Sequence, residues 1–174
     1  MNLETERLFM RPVTARDGEP LHRLHNDPLV VELIMQGKPL TRGESDARLR
    51  LYLDEWDRFG YGFWMVYLRQ ASGDLAFVGR AGLRRYDESD VEVGVCLFGA
   101  FSGQRIAGES LGAAIEFAFR HLPVPRLVSV VRPTNVRSQR AMEKLGFVFA
   151  GMTEHLGTTF RFYELLRPNP PAFL

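Results

Sequence analysis

Val91-Glu92-Val93-Gly94-Val95-Cys96-Leu97-Phe98-Gly99-Ala100-Phe101-Ser102-Gly103-Gln104-Arg105-Ile106-Ala107-Gly108-Glu109-Ser110 changes period half-way. In its first part Val91, Val93, Val95 and Leu97 share one face of an extended chain, and Glu92, Gly94 and Cys96 share the other. From Ala107 the apolar residues Leu111, Ala114, Ile115, Ala118 and Leu122 fall at the 3.6-residue spacing of a helix. A strand therefore runs through a short glycine-containing turn straight into a helix. Such an entry presents unpaired backbone N–H groups and the positive end of the helix dipole, a combination suited to phosphate or pyrophosphate. The turn contains neither GxGxxG nor GxxxxGK[ST], so dinucleotide-fold and P-loop readings have no support.

Downstream, Arg126 to Val131 reads as an apolar strand. The order strand 91–97, helix 107–122, strand 126–131 requires a crossover, which makes those two strands parallel. Asn135 to Leu145 is a short helix closed by Gly146, and 147–152 and 158–166 are two more strands. Upstream, 63–68 and 75–84 form a hairpin around Ala71-Ser72-Gly73-Asp74. The turn Asp87-Glu88-Ser89-Asp90 adds 91–97 as a third antiparallel strand. The first third reads as a strand at 8–13, a helix at 16–26 broken by Asp27-Pro28, and a helix from Thr41 to Gly60. Thr41 with Glu44 forms a capping box for the latter. The fold class is mixed α/β, and 168–174 reads as a tail beyond one domain spanning 1–167.

Composition narrows the function. The chain of 174 residues is 45% hydrophobic and 25% charged, with a formal net charge of +1, which suits one packed domain and gives no footprint for general nucleic-acid binding. Local basic clusters such as Arg132 to Arg140 call for a more specific explanation. The single cysteine excludes an internal disulfide and a Cys-based metal site, and the four histidines lack metal-ligand spacing. His22 and His25 read as a solvated pair on a helix, and no metal is expected. The N-terminus lacks the apolar core of a signal peptide, and no run of about 18 apolar residues is present to span a membrane. The expected address is the cytoplasm and the expected assembly a monomer or homodimer.

Several blocks together resemble the GNAT N-acetyltransferases, specifically the branch of the ribosomal-protein N-acetyltransferases. They are Leu3-Glu4-Thr5-Glu6-Arg7-Leu8 with Arg11-Pro12, Glu92-Val93-Gly94-Val95-Cys96-Leu97, and Gly103-Gln104 through Ala107-Gly108-Glu109. Pro133-Thr134-Asn135-Val136-Arg137-Ser138, followed by Glu143-Lys144-Leu145-Gly146-Phe147, completes the set. They occur in the family's order over nearly the whole chain. The resemblance implies a central, mostly antiparallel sheet flanked by helices, with the parallel fourth and fifth strands splayed apart. An acyl-CoA, most simply acetyl-CoA as co-substrate, is implied in that opening. Val95, Cys96 and Leu97 would pair with its pantetheine arm, and Gly103, Gln104, Arg105, Ile106, Ala107 and Gly108 would cradle its pyrophosphate. Asn135 and Ser138 would complete the cofactor site.

The implied reaction is direct transfer to an amine of a protein N-terminus or small molecule. Glu92 is the candidate proton acceptor, or else an ion-paired strand carboxylate. Ser138 is the candidate donor to the thiolate, or else a completion of the helix start. Asn135 also suits the N-cap of that helix, and Gly146 its C-terminal glycine. Cys96 reads as a packing residue rather than a nucleophile. Three positions depart from the family: Ser102 and Arg105 in the loop, and Met142 where many relatives carry a tyrosine acid. Arg105 replaces a glycine. It either preserves the loop and offers charge to a phosphate, or fills the cradle and weakens CoA binding. The alternative function is a non-catalytic acyl-CoA-binding or regulatory module.

Overall fold

The computed structural model describes residues 1–155 and 157–168; the expected tail beyond Pro168 lies outside the described residues. The strands are β1 (Leu3–Glu4), β2 (Leu8–Pro12), β3 (Phe63–Arg69), β4 (Leu75–Arg85), β5 (Val91–Leu97), β6 (Arg126–Val131), β7 (Val148–His155) and β8 (Thr158–Leu166). The helices are α1 (Gly18–His25), α2 (Pro28–Leu33), α3 (Arg42–Phe59), α4 (Ile106–His121) and α5 (Val136–Lys144). The strands form one 8-stranded sheet in the order β1-β2-β3-β4-β5-β6-β8-β7. Every neighbouring pair is antiparallel except β5 and β6.

The parallel pair is the feature that positions the site. β5 and β6 are in register only at Val91↔Leu127 and Glu92↔Val128, and then separate. Just beyond, the Ser129 hydroxyl donates to the Val93 carbonyl at 3.2 Å, replacing a backbone bond that the widening gap no longer permits. β4 remains paired with β5 as far as Leu97, so only the β6 side of β5 is open.

The alternation along β5 sorts two cores. Val91 and Val93 join Trp64, Leu83 and the α4 residues Ile106, Leu111, Ala114, Phe117 and Ala118 on one face of the sheet. Cys96 joins Phe63, Met65 and the residues Leu21, Leu24, Leu49 and Tyr52 of α1 and α3 on the other. Each large apolar side chain removed from water in this way contributes about 1.5–3 kcal/mol.

Three local expectations change. The buried stripe of α4 is rotated: Ile106, Ser110 and Phe117 are buried, whereas Ala107 faces the opening beside β5. Asp27-Pro28 does end α1, but it also starts α2. The Asp27 carboxylate accepts from the Leu29 and Val30 amides at 3.1 and 3.3 Å, and Pro28 occupies the first helical position. His25 is not solvated. It is fully buried beneath α3, with Nδ1 3.2 Å from the Ser45 hydroxyl.

Candidate active site

The gap between β5 and β6 opens into a cleft of about 960 Å³. One wall is β5 from Val95 to Leu97, a second is the start of α4, and a third is the exposed side of α5. Leu29, Val30, Leu33 and Ile34, on and just after α2, close the far side. That wall is missing from the sequence reading because α2 is too short to show a helical period.

The turn from β5 to α4 is built by backbone geometry. Gly103 has φ 82 and Arg105 has φ 63, both in the left-handed region. A non-glycine residue there costs roughly 1–2 kcal/mol, so Arg105 carries the conformation that glycine would adopt freely. The loop shape survives the substitution. Arg105 stands at the N-cap, and no side chain among the described residues caps α4. The first intrahelical bond runs from the Glu109 amide to the Arg105 carbonyl. The amides of Ile106, Ala107 and Gly108 are thus left without an acceptor among the described residues. A Cβ at Gly103 or Gly108 would meet nothing within 4 Å, so the approach to these amides is bare.

The rim is cationic. Arg7, Arg105, Arg137, Arg140 and Lys144 line the cleft. Arg137 Nη1 donates to the Ser102 hydroxyl at 2.6 Å and ties α5 to the loop. The acid on this rim, Glu109, is taken up by Arg7 at 2.5 Å and by the Thr5 hydroxyl. Burial raises the Glu109 carboxyl, but those hydrogen bonds outweigh it and hold the group below its ordinary value. Arg137 and Arg140 account for the local basic cluster of the sequence. The cleft combines free helix-start amides with cations, a fit for a phosphorylated ligand.

Of the sequence-derived cofactor residues, Val95, Cys96, Leu97, Gly103, Arg105, Ile106, Ala107, Gly108, Asn135 and Ser138 line this cleft. Gln104 does not. Its side chain donates to the Ala100 carbonyl at 3.2 Å and its own carbonyl accepts from Arg7 at 3.1 Å, bracing the turn from outside. Asn135 caps α5 by accepting from the Ser138 amide at 3.2 Å. The Ser138 hydroxyl has no recorded hydrogen-bond partner among the described residues and faces the cleft.

Glu92 stands apart from the cleft wall, on the α1–α3 face of β5, where it is 5% exposed. Arg84, its cross-strand partner, donates through Nε at 2.7 Å and lies at 2.6 Å through Nη2. Burial drives the Glu92 carboxyl above the ordinary carboxylate range, and Arg84 offsets only part of that. The parallel register puts Glu92 at the point where the strands begin to part. Cys96 is buried and its thiol is pushed up to about 11 by burial, so it has little thiolate character. Met142 is buried in the core and supplies no acid.

Comparison with known proteins fixes the class. The family model described as acetyltransferase (GNAT) domain matches residues 7–148. The chain belongs to the GNAT acetyltransferase family. An uncharacterized N-acetyltransferase, YnaD of Bacillus subtilis (strain 168), is 24% identical over 149 residues, covering 84% of this chain and 82% of the relative. The crystal structure of an acetyltransferase from Agrobacterium tumefaciens str. C58 superposes with a TM-score of 0.80 at 25% identity, covering 95% of this chain and 94% of that one. RimL, a ribosomal L7/L12 alpha-N-protein acetyltransferase solved in complex with coenzyme A, shares the fold at TM-score 0.77 and 17% identity, covering 95% and 98% of the two chains. The mixed α/β fold with one parallel pair is therefore that of the GNAT family. No described helix is long and apolar enough to cross a membrane.

Proposed function

We propose that this GNAT chain acts in the cytoplasm as an acyl-CoA-dependent N-acyltransferase, moving an acetyl group to a primary amine of a protein N-terminus or small molecule. The observation that supports this best is the uncapped start of α4, opening beneath a cationic rim onto the free edge of β5. Coenzyme A carries a pyrophosphate and a further phosphate, and the residues present suit it. The amides of Ile106, Ala107 and Gly108 would hold the pyrophosphate, with Arg105, Arg137 and Arg140 close by. The β6-facing edge of β5 from Val95 to Leu97 would pair with the amide-containing arm, and Asn135 would complete that contact. The bound thioester supplies an activated acyl carbonyl.

The chain's own groups then manage protons. Glu92, kept basic by its raised pKa, accepts the proton released as the amine forms its bond to the acyl carbon, directly or through water. Ser138 donates to the sulfur as the carbon–sulfur bond breaks, and is reprotonated from solvent. Proton transfer by positioned groups contributes typically about a hundred- to ten-thousandfold. The high-pKa Cys96 is in keeping with direct transfer rather than a thioester on the protein.

Calorimetry with acetyl-CoA and CoA, followed by thiol release over an amine panel, tests the reading. Binding together with thiol release on at least one amine is expected. The pairing of Glu92 with Arg84 and the loss of an acid at Met142 favour a second reading, a non-catalytic acyl-CoA-binding module. Tight binding with no turnover on any amine would select it, and no binding would sink both.

A further inference from the structure

On the α1–α3 face of the sheet, away from the cleft wall, is a buried cation that no acid contacts directly among the described residues. Arg80 on β4 is 8% exposed. Its guanidinium lies 4.1 Å over the Phe63 ring and 5.0 Å from the centroid of Tyr52, yet it makes no hydrogen bond and no ion pair among the described residues. Arg48 of α3, half-buried, likewise makes no ion pair among the described residues, although it lies within electrostatic reach of Glu44 as well as of His25 and Cys96. The acids nearby are engaged: Glu92 by Arg84, and Asp27 by the amides of α2 and of Gly99. Alongside Arg80 Nε, the buried His25 Nε2 and Tyr52 hydroxyl also lack partners. Burial, with Arg80, Arg48 and His22, pushes the His25 pKa down to about 3, so this imidazole is neutral and supplies no countercharge problem of its own.

A buried charge left unpaired is costly, and uncompensated buried donors are rare in folded proteins. Here an arginine, a histidine and a tyrosine packed on one face of the sheet each keep a buried polar atom without a partner among the described residues. Arg80 also lies within electrostatic reach of Glu92, the proposed proton acceptor. Arg80 pairs with Cys96 and Arg84 with Glu92, and between these levels lies the pair Gly82–Gly94, which contributes no side chains. The Phe63 ring lies beside Gly94, with its edge 3.6 Å from where a Cβ would stand. Glu92 and Arg80 therefore lie on one face of the sheet, with the Phe63 ring beside the glycine pair between their levels. Their levels are about 13 Å apart along the sheet. A guanidinium stacked on an aromatic face keeps its in-plane N–H donors free for a carboxylate, which it can hold through paired bonds.

We infer that Arg80, assisted by Arg48, is the acceptor subsite of this enzyme, and that it takes a carboxylate carried by the amine substrate. The inference rests on the acyltransferase reading and narrows its acceptor to an amine that bears a negative charge. Arg80 selects and orients the acceptor, and Glu92 takes its proton.

The test titrates the protein, with and without saturating acetyl-CoA, by calorimetry using matched amine pairs. Free amino acids are compared with their amides, and dipeptides with Asp or Glu in the second position with their Asn or Gln counterparts. The first arm reports a small-molecule acceptor and the second a peptide. At least one carboxylate should bind tenfold or more tightly than its neutral partner. Arg80→Met should erase that preference, Arg80→Lys should retain part of it, and the half-exposed Arg48→Gln should weaken it. Affinity for CoA, measured on each variant, separates loss of the acceptor subsite from loss of fold. Where turnover is seen, the preference should appear in KM more than in kcat. Equal binding of carboxylate and amide in every pair, or a preference that persists in Arg80→Met, overturns the inference. Absence of CoA binding would sink the acyltransferase reading, whereas the titrations without CoA still decide whether Arg80 holds a carboxylate.

Discussion

Helices α3 and α4 pack on opposite faces of the sheet, and their first turns are finished in opposite ways. At α3, the Thr41 hydroxyl accepts from the Glu44 amide at 3.3 Å, and the Glu44 carboxylate accepts from the Thr41 amide at 2.7 Å. Those reciprocal bonds leave the turn closed. At α4 the equivalent place is held by the left-handed Arg105, and no side chain reaches the amides behind it. The same backbone need is met internally in one helix and left unmet by the described residues in the other. A helix start left open beside a cleft is the less stable arrangement by itself, and the proposed cofactor site rests on that difference.

The largest expected effect probes the strand between the two helices. Glu92→Gln should lower kcat by about a hundredfold while CoA affinity stays unchanged, in line with loss of one positioned proton acceptor. In the wild type, burial raises the folded-state pKa of Glu92 above its unfolded value, so the native protein binds the extra proton. Activity should therefore rise with pH through a point above the usual carboxylate range. Over that window the ionisation of Glu92 works against stability. The Gln variant, whose neutral side chain suits burial and whose Arg84 is half-exposed, should melt no lower at neutral pH. A pH–rate profile unchanged by the substitution would remove Glu92 from the mechanism.

Next in size is Gly108→Asp, which gives α4 what α3 already has. A Cβ there meets nothing, so the helix should form, and an acid in its first turn should raise the melting temperature slightly. The same charge opposes a pyrophosphate, and CoA affinity should fall by about tenfold or more. Opposite signs for stability and affinity in one variant would sharpen the contrast between the helices; unchanged affinity would break it.

Thr41→Ala opens the closed turn. It should cost about 1 kcal/mol in denaturant unfolding and leave CoA affinity alone. The smallest effect is expected of Arg105→Gly, which relaxes a left-handed residue worth no more than about 1 kcal/mol after the added freedom of the unfolded chain is counted. Calorimetry should find CoA affinity kept or tightened, because the backbone amides rather than the arginine hold the ligand. A clear loss would make Arg105 itself a phosphate ligand.

Much of the cofactor side was legible in the residues because it is built from local signals. The alternation at Val91 to Leu97, the glycine-bearing turn and the period of α4 are contiguous in the chain, and each has its own geometric cause. The capping pairs Thr41–Glu44 and Asn135–Ser138 could be read for the same reason. The α1–α3 face of the sheet was not legible. His25 looks like any helical histidine until α3 covers it, and Arg80 looks like any strand arginine until Phe63 and Tyr52 enclose it. The short α2 was hidden because Asp27-Pro28 serves both to stop one helix and to start another.

The residue order alone thus determined the element types, the parallel crossover between β5 and β6, and an open helix start following a strand. These depend on periodicity and on neighbours a few positions apart. Only the tertiary structure decided that β5 and β6 part after Glu92, that β8 lies between β6 and β7, that Arg84 holds Glu92, and that Arg80 is buried without an ion-paired acid among the described residues. Those facts depend on which distant segments are brought together and on how much water they exclude. Burial and charge pairing belong to the folded neighbourhood, and it is there that an ordinary carboxylate and an ordinary guanidinium acquire the environments on which the proposals for them rest.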